Sequence, residues 1–221
     1  MAIELPKSAA DFLPTHRTLK ALREAARSCK GCDLYKNATQ TVFGEGPPNA
    51  SVVFVGEQPG DQEDRQGHPF VGPAGRLLDK ALAAARISRA QVYVTNAVKH
   101  FKWIWRGKRR LHQKPVIRQV MACKPWLQAE LEVLKPKIVV CMGTTAAQAV
   151  LSKAVLVTKE RGKFIAPNSG PTIFITIHPS AIYRQRDRSE QENECRRFAE
   201  EMKLVGRKLR RLTRDVRATS L

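Results

Sequence analysis

No apolar run in this 221-residue chain is long enough to cross a bilayer. KIVVCMG and TIFITI fall well short of the roughly 20 residues a spanning helix needs, and they read as buried strands. The amino terminus, MAIELPKSAADF, lacks the basic start and apolar stretch of a secretory signal, so a cytoplasmic protein is expected. Cysteine is sparse, with five residues that cannot all pair with one another. In a reducing compartment that argues against a disulfide framework and for ligation, at least at the close pair Cys29 and Cys32. No GxxxxGK[ST] loop cradles a nucleotide triphosphate, and no internal repeat is present. No segment joins a basic face to a clean apolar one with aromatic anchors, which disfavours binding to a membrane surface. Acid is the scarcest class: 20 Asp and Glu against 39 Lys and Arg leave a net charge of +19. Such an excess attracts polyanions, of which nucleic acid is the commonest.

What is present is a rhythm. Apolar residues make up 43% of the chain, enough for a core. Residues 15–29 carry Leu19, Leu22, Ala25 and Ala26 at helical spacing and deliver the chain to CKGC. SVVFVG is a strand, followed by the Gly/Pro/Asp-rich stretch EQPGDQEDRQGHPFVGP, which reads as a long loop. PAGRLLDKALAAARI is then an amphipathic helix opened by Pro73. QVYVTNAV is a strand, residues 99–115 a basic loop, and VIRQVMACKPWLQAELEVL helical on both sides of Pro125. KIVVCMG with TTAAQAVLS, and TIFITI with the loop HPSAIYRQRDR and a charged helix, complete the pattern. Strand–loop–helix units with near-continuous apolar strands predict a three-layer α/β/α sandwich around a four-stranded parallel sheet. The domain is expected over 15–205, with an N-terminal arm (1–14) and a basic C-terminal extension (206–221).

In such sheets the ligand crevice lies outside the carboxyl ends of the strands. Three loops leave from that edge, with Asn96 at the end of one strand and His178 at the end of another. The cations Lys99, Arg106, Lys108, Arg109, Arg110, Lys114 and Arg184 are expected to meet nucleic-acid phosphates there. In RGKRRLHQKP, residues 106–115, five cations surround His112, and a purely electrostatic patch needs no histidine.

GEQPG with HPF downstream, TNAVKH, ACKPWL and HPS together resemble the iron–sulfur side of the uracil-DNA glycosylase superfamily. The family-4 enzymes carry a similar GE-x-PG loop and strand-end His-Pro motif. KRRLHQ is similar to the K-R-R-I-H-Q loop of the family-X (UdgX-type) glycosylases, with Leu111 for Ile. The resemblance spans roughly residues 15–205 and implies excision of uracil from DNA, the base being extruded or single-stranded when it is read. By that resemblance Phe70 stacks on uracil, Asn96 pairs with its O4/N3–H edge, and His178 bonds O2 as charge builds on the leaving base. Glu57 stabilises the sugar cation or orients His112, and Gln58 and Asp61 shape the pocket and hold water or sugar.

The resemblance further implies a [4Fe–4S] cluster on Cys29, Cys32, Cys123 and Cys141. The C-x-x-C pair alone serves zinc equally well. Cys141 lies inside an apolar strand, where a cysteine also serves as a small buried hydrophobe, and Cys195, on a charged helix, is the outsider. Family X implies that His112 attacks C1′ and leaves a covalent protein–DNA bond. The surrounding cations would grip phosphate and favour the neutral imidazole. The alternatives are a turnover glycosylase of family-4 type, or a non-catalytic DNA-binding module of the same fold. A monomer acting on uracil-containing DNA, single strands ahead of duplex, is expected.

Overall fold

The structure is a computed structural model that describes residues 8–167 and 169–218, with side chains to 214. Residues 1–7, the first half of the N-terminal arm, thus lie outside the described residues. Four parallel strands form the centre: β1 (Val52–Gly56), β2 (Val92–Asn96), β5 (Ile138–Met142) and β7 (Thr172–Thr176). They stand in the order β2-β1-β5-β7, and a two-residue strand, β6 (Phe164–Ile165), adds an antiparallel fifth at the β7 edge. Two residues in RGKFIAP carry no legible period, so this edge strand was absent from the four-stranded expectation.

Alternation along each strand divides the core in two, because successive side chains point to opposite faces. Val53, Val55, Tyr93, Val139 and Ile175 meet helices α1 (Leu19–Ala26), α4 (Ile117–Leu134) and α5 (Thr144–Leu151). Val52, Phe54, Val94, Val140 and Phe174 meet α3 (Pro73–Ala84) and α8 (Arg188–Ala218) on the other side. This is the three-layer sandwich. α8 runs unbroken through residue 206, and Leu209 and Leu212 still pack on the core, so the helix shows no boundary where the basic extension was expected to begin. Among the described residues no helix is long and apolar enough to cross a membrane.

Two segments differ from the sequence reading. The polar stretch after β1 contains a short helix, α2 (Asp61–Gln66). Its buried residues are Glu63 and Asp64, so it carries no apolar stripe to reveal it. Glu63 holds both sides of this loop, accepting from Gly60 N at 3.0 Å and from Gly72 N at 2.7 Å. The supposed basic loop is a β-hairpin, β3 (Trp103–Arg106) and β4 (Arg109–His112), joined by Gly107 and Lys108. Gly107 has φ 59°, as the first position of a tight hairpin turn demands. Both faces of WIWR are bulky or cationic, so the sequence shows no polar–apolar alternation. α4 passes through Pro125 as one helix. The remaining short helices are α6 (Val157–Glu160) and α7 (Pro179–Ile182).

Candidate active site

β1, β2, β5 and β7 all end at one edge of the sheet, and a cavity of about 400 Å³ opens there. Beneath three of its lining side chains lies Gly56, the last residue of β1. A methyl group added at Gly56 would meet Asn96 Oδ1 at 2.4 Å, Phe70 Cζ at 2.7 Å and His178 Nε2 at 3.3 Å. Three side chains from three separate segments thus converge on one point, and only a hydrogen side chain leaves room between them. Phe70 sits there in a left-handed backbone conformation, φ 60°. For a bulky residue that conformation costs about 1–3 kcal/mol and persists only where the surroundings impose it.

Each of the three groups is primed for a planar, hydrogen-bonding ligand. Asn96 is 3% exposed, and its Oδ1 is buried with no hydrogen-bond partner. Such an orphan costs about 1–3 kcal/mol unless a ligand supplies the donor. Burial lowers the His178 pKa to about 4, with Arg184 and His112 acting in the same direction and Glu57 against them, so the ring is neutral at pH 7. Its Nδ1 accepts from Ser180 N at 3.2 Å. The ring proton therefore lies on Nε2, the nitrogen that faces Asn96 and Phe70 across Gly56. Phe70 and His178 face one another at 6.3 Å between ring centroids, tilted by 31°.

On the adjoining wall stand Glu57 and His112. Glu57 Oε1 lies 3.3 Å from His112 Nε2, and Thr145 Oγ1 donates to Glu57 Oε2 at 2.6 Å. Burial pushes the Glu57 carboxyl up, but hydrogen bonds from His112 and Thr145 and the nearby His112 and His178 rings outweigh it. The net shift is downward, leaving a carboxylate at neutral pH. His112 remains partly accessible, its side chain 39% exposed.

The hairpin that carries His112 is fastened at both ends. At its base Gln58 donates to Lys102 O and Gln113 O, both at 3.1 Å, and accepts from Lys102 N at 3.1 Å. Toward its tip Arg110 is 6% exposed and bonds Asp61 Oδ1 at 2.5 Å and Asp64 Oδ2 at 2.6 Å. Its guanidinium also lies over the Phe101 and Trp103 rings, at 5.5 and 5.3 Å.

Several expected roles change accordingly. Gln58 and Asp61 line the cavity, but Gln58 is engaged with the hairpin backbone and both Asp61 oxygens are taken, by Arg110 and Arg65. Arg110 latches the hairpin and offers no free charge to phosphate. Lys99 is sealed inside, donating to Thr95 Oγ1, Asn96 O and Glu130 Oε2 at 2.6, 2.8 and 2.5 Å, and cannot reach DNA. Among the described residues Arg106, Lys108, Arg109, Lys114 and Arg184 are exposed and form no ion pair, and Arg184 stands at the cavity mouth. Asp64, Thr145 and Ser180 were missed. Only Ser180, in the HPS motif, stood beside a residue already singled out.

Three cysteines gather in the core below α1. Trp126 Nε1 donates to Cys29 Sγ and Lys99 N to Cys123 Sγ, each at 3.2 Å. Burial raises the pKa of Cys32 and pushes Cys123 up to about 12, and the neighbouring thiols add to both. N–H donors to sulfur are the surroundings that iron–sulfur ligands use. Among the described residues no three His, Cys, Asp or Glu side chains close on a single ion. Cys141, on β5, lies in the same buried layer as Cys29 and Cys123, but its thiol is raised by burial alone, with no contribution from the other cysteines.

The fold and the cavity therefore define a base-excising enzyme architecture, and the chain matches the uracil DNA glycosylase superfamily over residues 43–203. It belongs to that superfamily and is a DNA glycosylase. A type-4 uracil-DNA glycosylase of Thermotoga maritima is 36% identical over 181 residues, covering 81% of this chain and 88% of its own length. Type-4 uracil-DNA glycosylases of Sulfurisphaera tokodaii and Archaeoglobus fulgidus are 33% and 34% identical, covering 83% and 82% of this chain and 84% and 90% of their own lengths.

Proposed function

We propose that the protein excises uracil from DNA and that His112 then captures the sugar. The observation that carries the excision is the convergence of Phe70, Asn96 and His178 over Gly56. Uracil presents an N3–H donor and an O4 acceptor to one amide, which supplies the donor that Asn96 Oδ1 lacks. Phe70 covers the ring face. His178 Nε2–H points at O2, where charge accumulates as the N1–C1′ electron pair leaves with the base. The sugar is left cationic at C1′, and the Glu57 carboxylate lies on the adjoining wall to stabilise it. The type-4 relatives support this half of the reading.

Capture is supported by the position of His112. Its Nε2 lies 3.3 Å from Glu57 Oε1 in the same cavity, on a hairpin fastened by Gln58 and Arg110. Nε2 forms the bond to C1′ and its proton passes to Glu57, so no charge is left uncompensated. A tethered imidazole competes with water through an effective concentration worth about 7 kcal/mol or more of barrier. This is the outcome expected of a family-X enzyme. Were the hairpin only a phosphate grip, water would take C1′ and the enzyme would turn over.

The cysteine patch suits a structural [4Fe–4S] cluster held by Cys29, Cys32 and Cys123, tying the N-terminal helix to the sheet. His100 is a better fourth ligand than Cys141. It is buried, follows Lys99, and its Nε2 lies 3.1 Å from Thr41 Oγ1, which bonds Ala26 O just before Cys29. The substrate is uracil in single-stranded DNA, which exposes the base without unpairing. Uracil release per enzyme tests the whole reading. Release that stops near one equivalent supports capture, many equivalents support turnover, and none refutes excision.

A further inference from the structure

The hairpin has a second face that the proposed chemistry leaves unused. Directly opposed residues of an antiparallel pair share a face. Trp103 with His112, and Trp105 with Arg110, therefore share the side where His112 meets Glu57 and Arg110 meets Asp61 and Asp64. Ile104 with Leu111, and Arg106 with Arg109, occupy the opposite side. Ile104 is 51% and Leu111 42% exposed, an apolar cross-strand pair open to water. Arg106 and Arg109 are like charges set directly opposite, an arrangement that destabilises a hairpin. Lys108 adds a third cation in the turn, and among the described residues none of the three has an ion-pair partner. A surface that pairs an apolar patch with uncompensated positive charge is complemented by a ligand that is itself apolar and anionic. Unpaired nucleotides are such a ligand, with flat π-faces carried on a phosphate chain.

We propose that this outer face of the hairpin docks the single-stranded nucleotides flanking uracil, with a base face on Ile104 and Leu111 and phosphates on Arg106, Lys108 and Arg109. It rests on the reading of the protein as an enzyme of uracil-containing DNA. His112 lines the cavity from one side of the β4 ribbon while Leu111, its neighbour, faces the other. The outer face therefore borders the cavity wall, where DNA flanking an inserted base would pass. Duplex DNA hides its base faces in the stack and cannot use the apolar pair.

The test measures fluorescence anisotropy of a short uracil-free oligonucleotide, single-stranded and duplex, with the full chain. Ile104→Thr keeps a β-branched residue in the strand and should weaken single-strand binding about fivefold, while Ile104→Trp, with a larger stacking surface, should tighten it. Duplex binding should stay within about twofold for both, since no base face is available there. Leu156→Thr, which removes an even more exposed apolar side chain elsewhere, should change neither. A damaged hairpin would weaken binding in both Ile104 variants, so their opposite signs separate docking from misfolding. Equal losses on single strand and duplex, or single-strand affinities within about twofold of wild type for both Ile104 variants, would overturn the proposal. Uracil release by wild type in the same preparation reports separately on the excision reading. Its absence would refute that reading, whatever the oligonucleotide affinities.

Discussion

Replacing Arg110 by methionine should separate base removal from sugar capture. Arg110 is nearly inaccessible and makes two charge-assisted bonds, to the half-exposed Asp61 and to the fully buried Asp64. Hydrogen bonds to charged groups contribute about 1.5–3 kcal/mol each, and breaking a buried pair costs about 3–5 kcal/mol. Asp64 keeps bonds from Thr39 N and Oγ1, at 2.9 and 2.6 Å, which offsets part of that loss. The docked hairpin should therefore lose about 3 kcal/mol relative to undocked states. If capture needs the docked hairpin, its rate falls up to about a hundredfold. Phe70, Asn96 and His178 lie outside the hairpin, so excision should change severalfold at most. Single-turnover assays that score free uracil and denaturation-resistant adduct from the same samples measure both steps. Loss of both in equal proportion, or of neither, would refute the latch.

Gly56→Ala should leave the strand intact but remove excision, by about a hundredfold or more in kcat/KM, because its methyl occupies the space between Asn96 and Phe70. Uracil release measured beside an unchanged circular dichroism spectrum checks this. Purified protein should be brown and carry iron and sulfide; Cys123→Ser and His100→Ala should lose them, whereas Cys141→Ser should keep them. Stability should fall with acidification below about pH 6.5 and level off near pH 4, because unfolded His178 binds a proton at its ordinary pKa of about 6.5 while the folded ring resists until about 4. Urea unfolding at pH 7.5 and 5 should differ by about 2 kcal/mol from this group, and His178→Gln should remove that share.

The layers of the fold were legible because its strands are continuous apolar runs and its main helices carry clear stripes. α2 was not, since a helix buried through Glu63 and Asp64 has no apolar period to read. The hairpin was not, because WIWR and RRLH carry the same mixture of bulk and charge on both faces. Strand-end position made Asn96 and His178 visible, and the tautomer of His178 follows from its neighbour Ser180. Net charge made all cations near the site look alike. Burial separates them, removing Lys99 and Arg110 to structural ion pairs while Arg106, Lys108 and Arg109 stay open. Cysteine spacing marked Cys29 and Cys32, but which distant residues join them depends on tertiary packing, in which Cys123 adjoins them while Cys141 senses none of the other thiols.

The most direct measurement mixes wild type or His112→Ala with labelled uracil-containing single-stranded DNA, then denatures each sample and resolves it on a gel. The wild type should run as a covalent adduct approaching one strand per enzyme, and His112→Ala should show none. Loss of the adduct with uracil still released would also place the capture step after excision. An adduct at full yield with His112→Ala, or no adduct from a wild type that releases uracil in excess of enzyme, would contradict capture by His112.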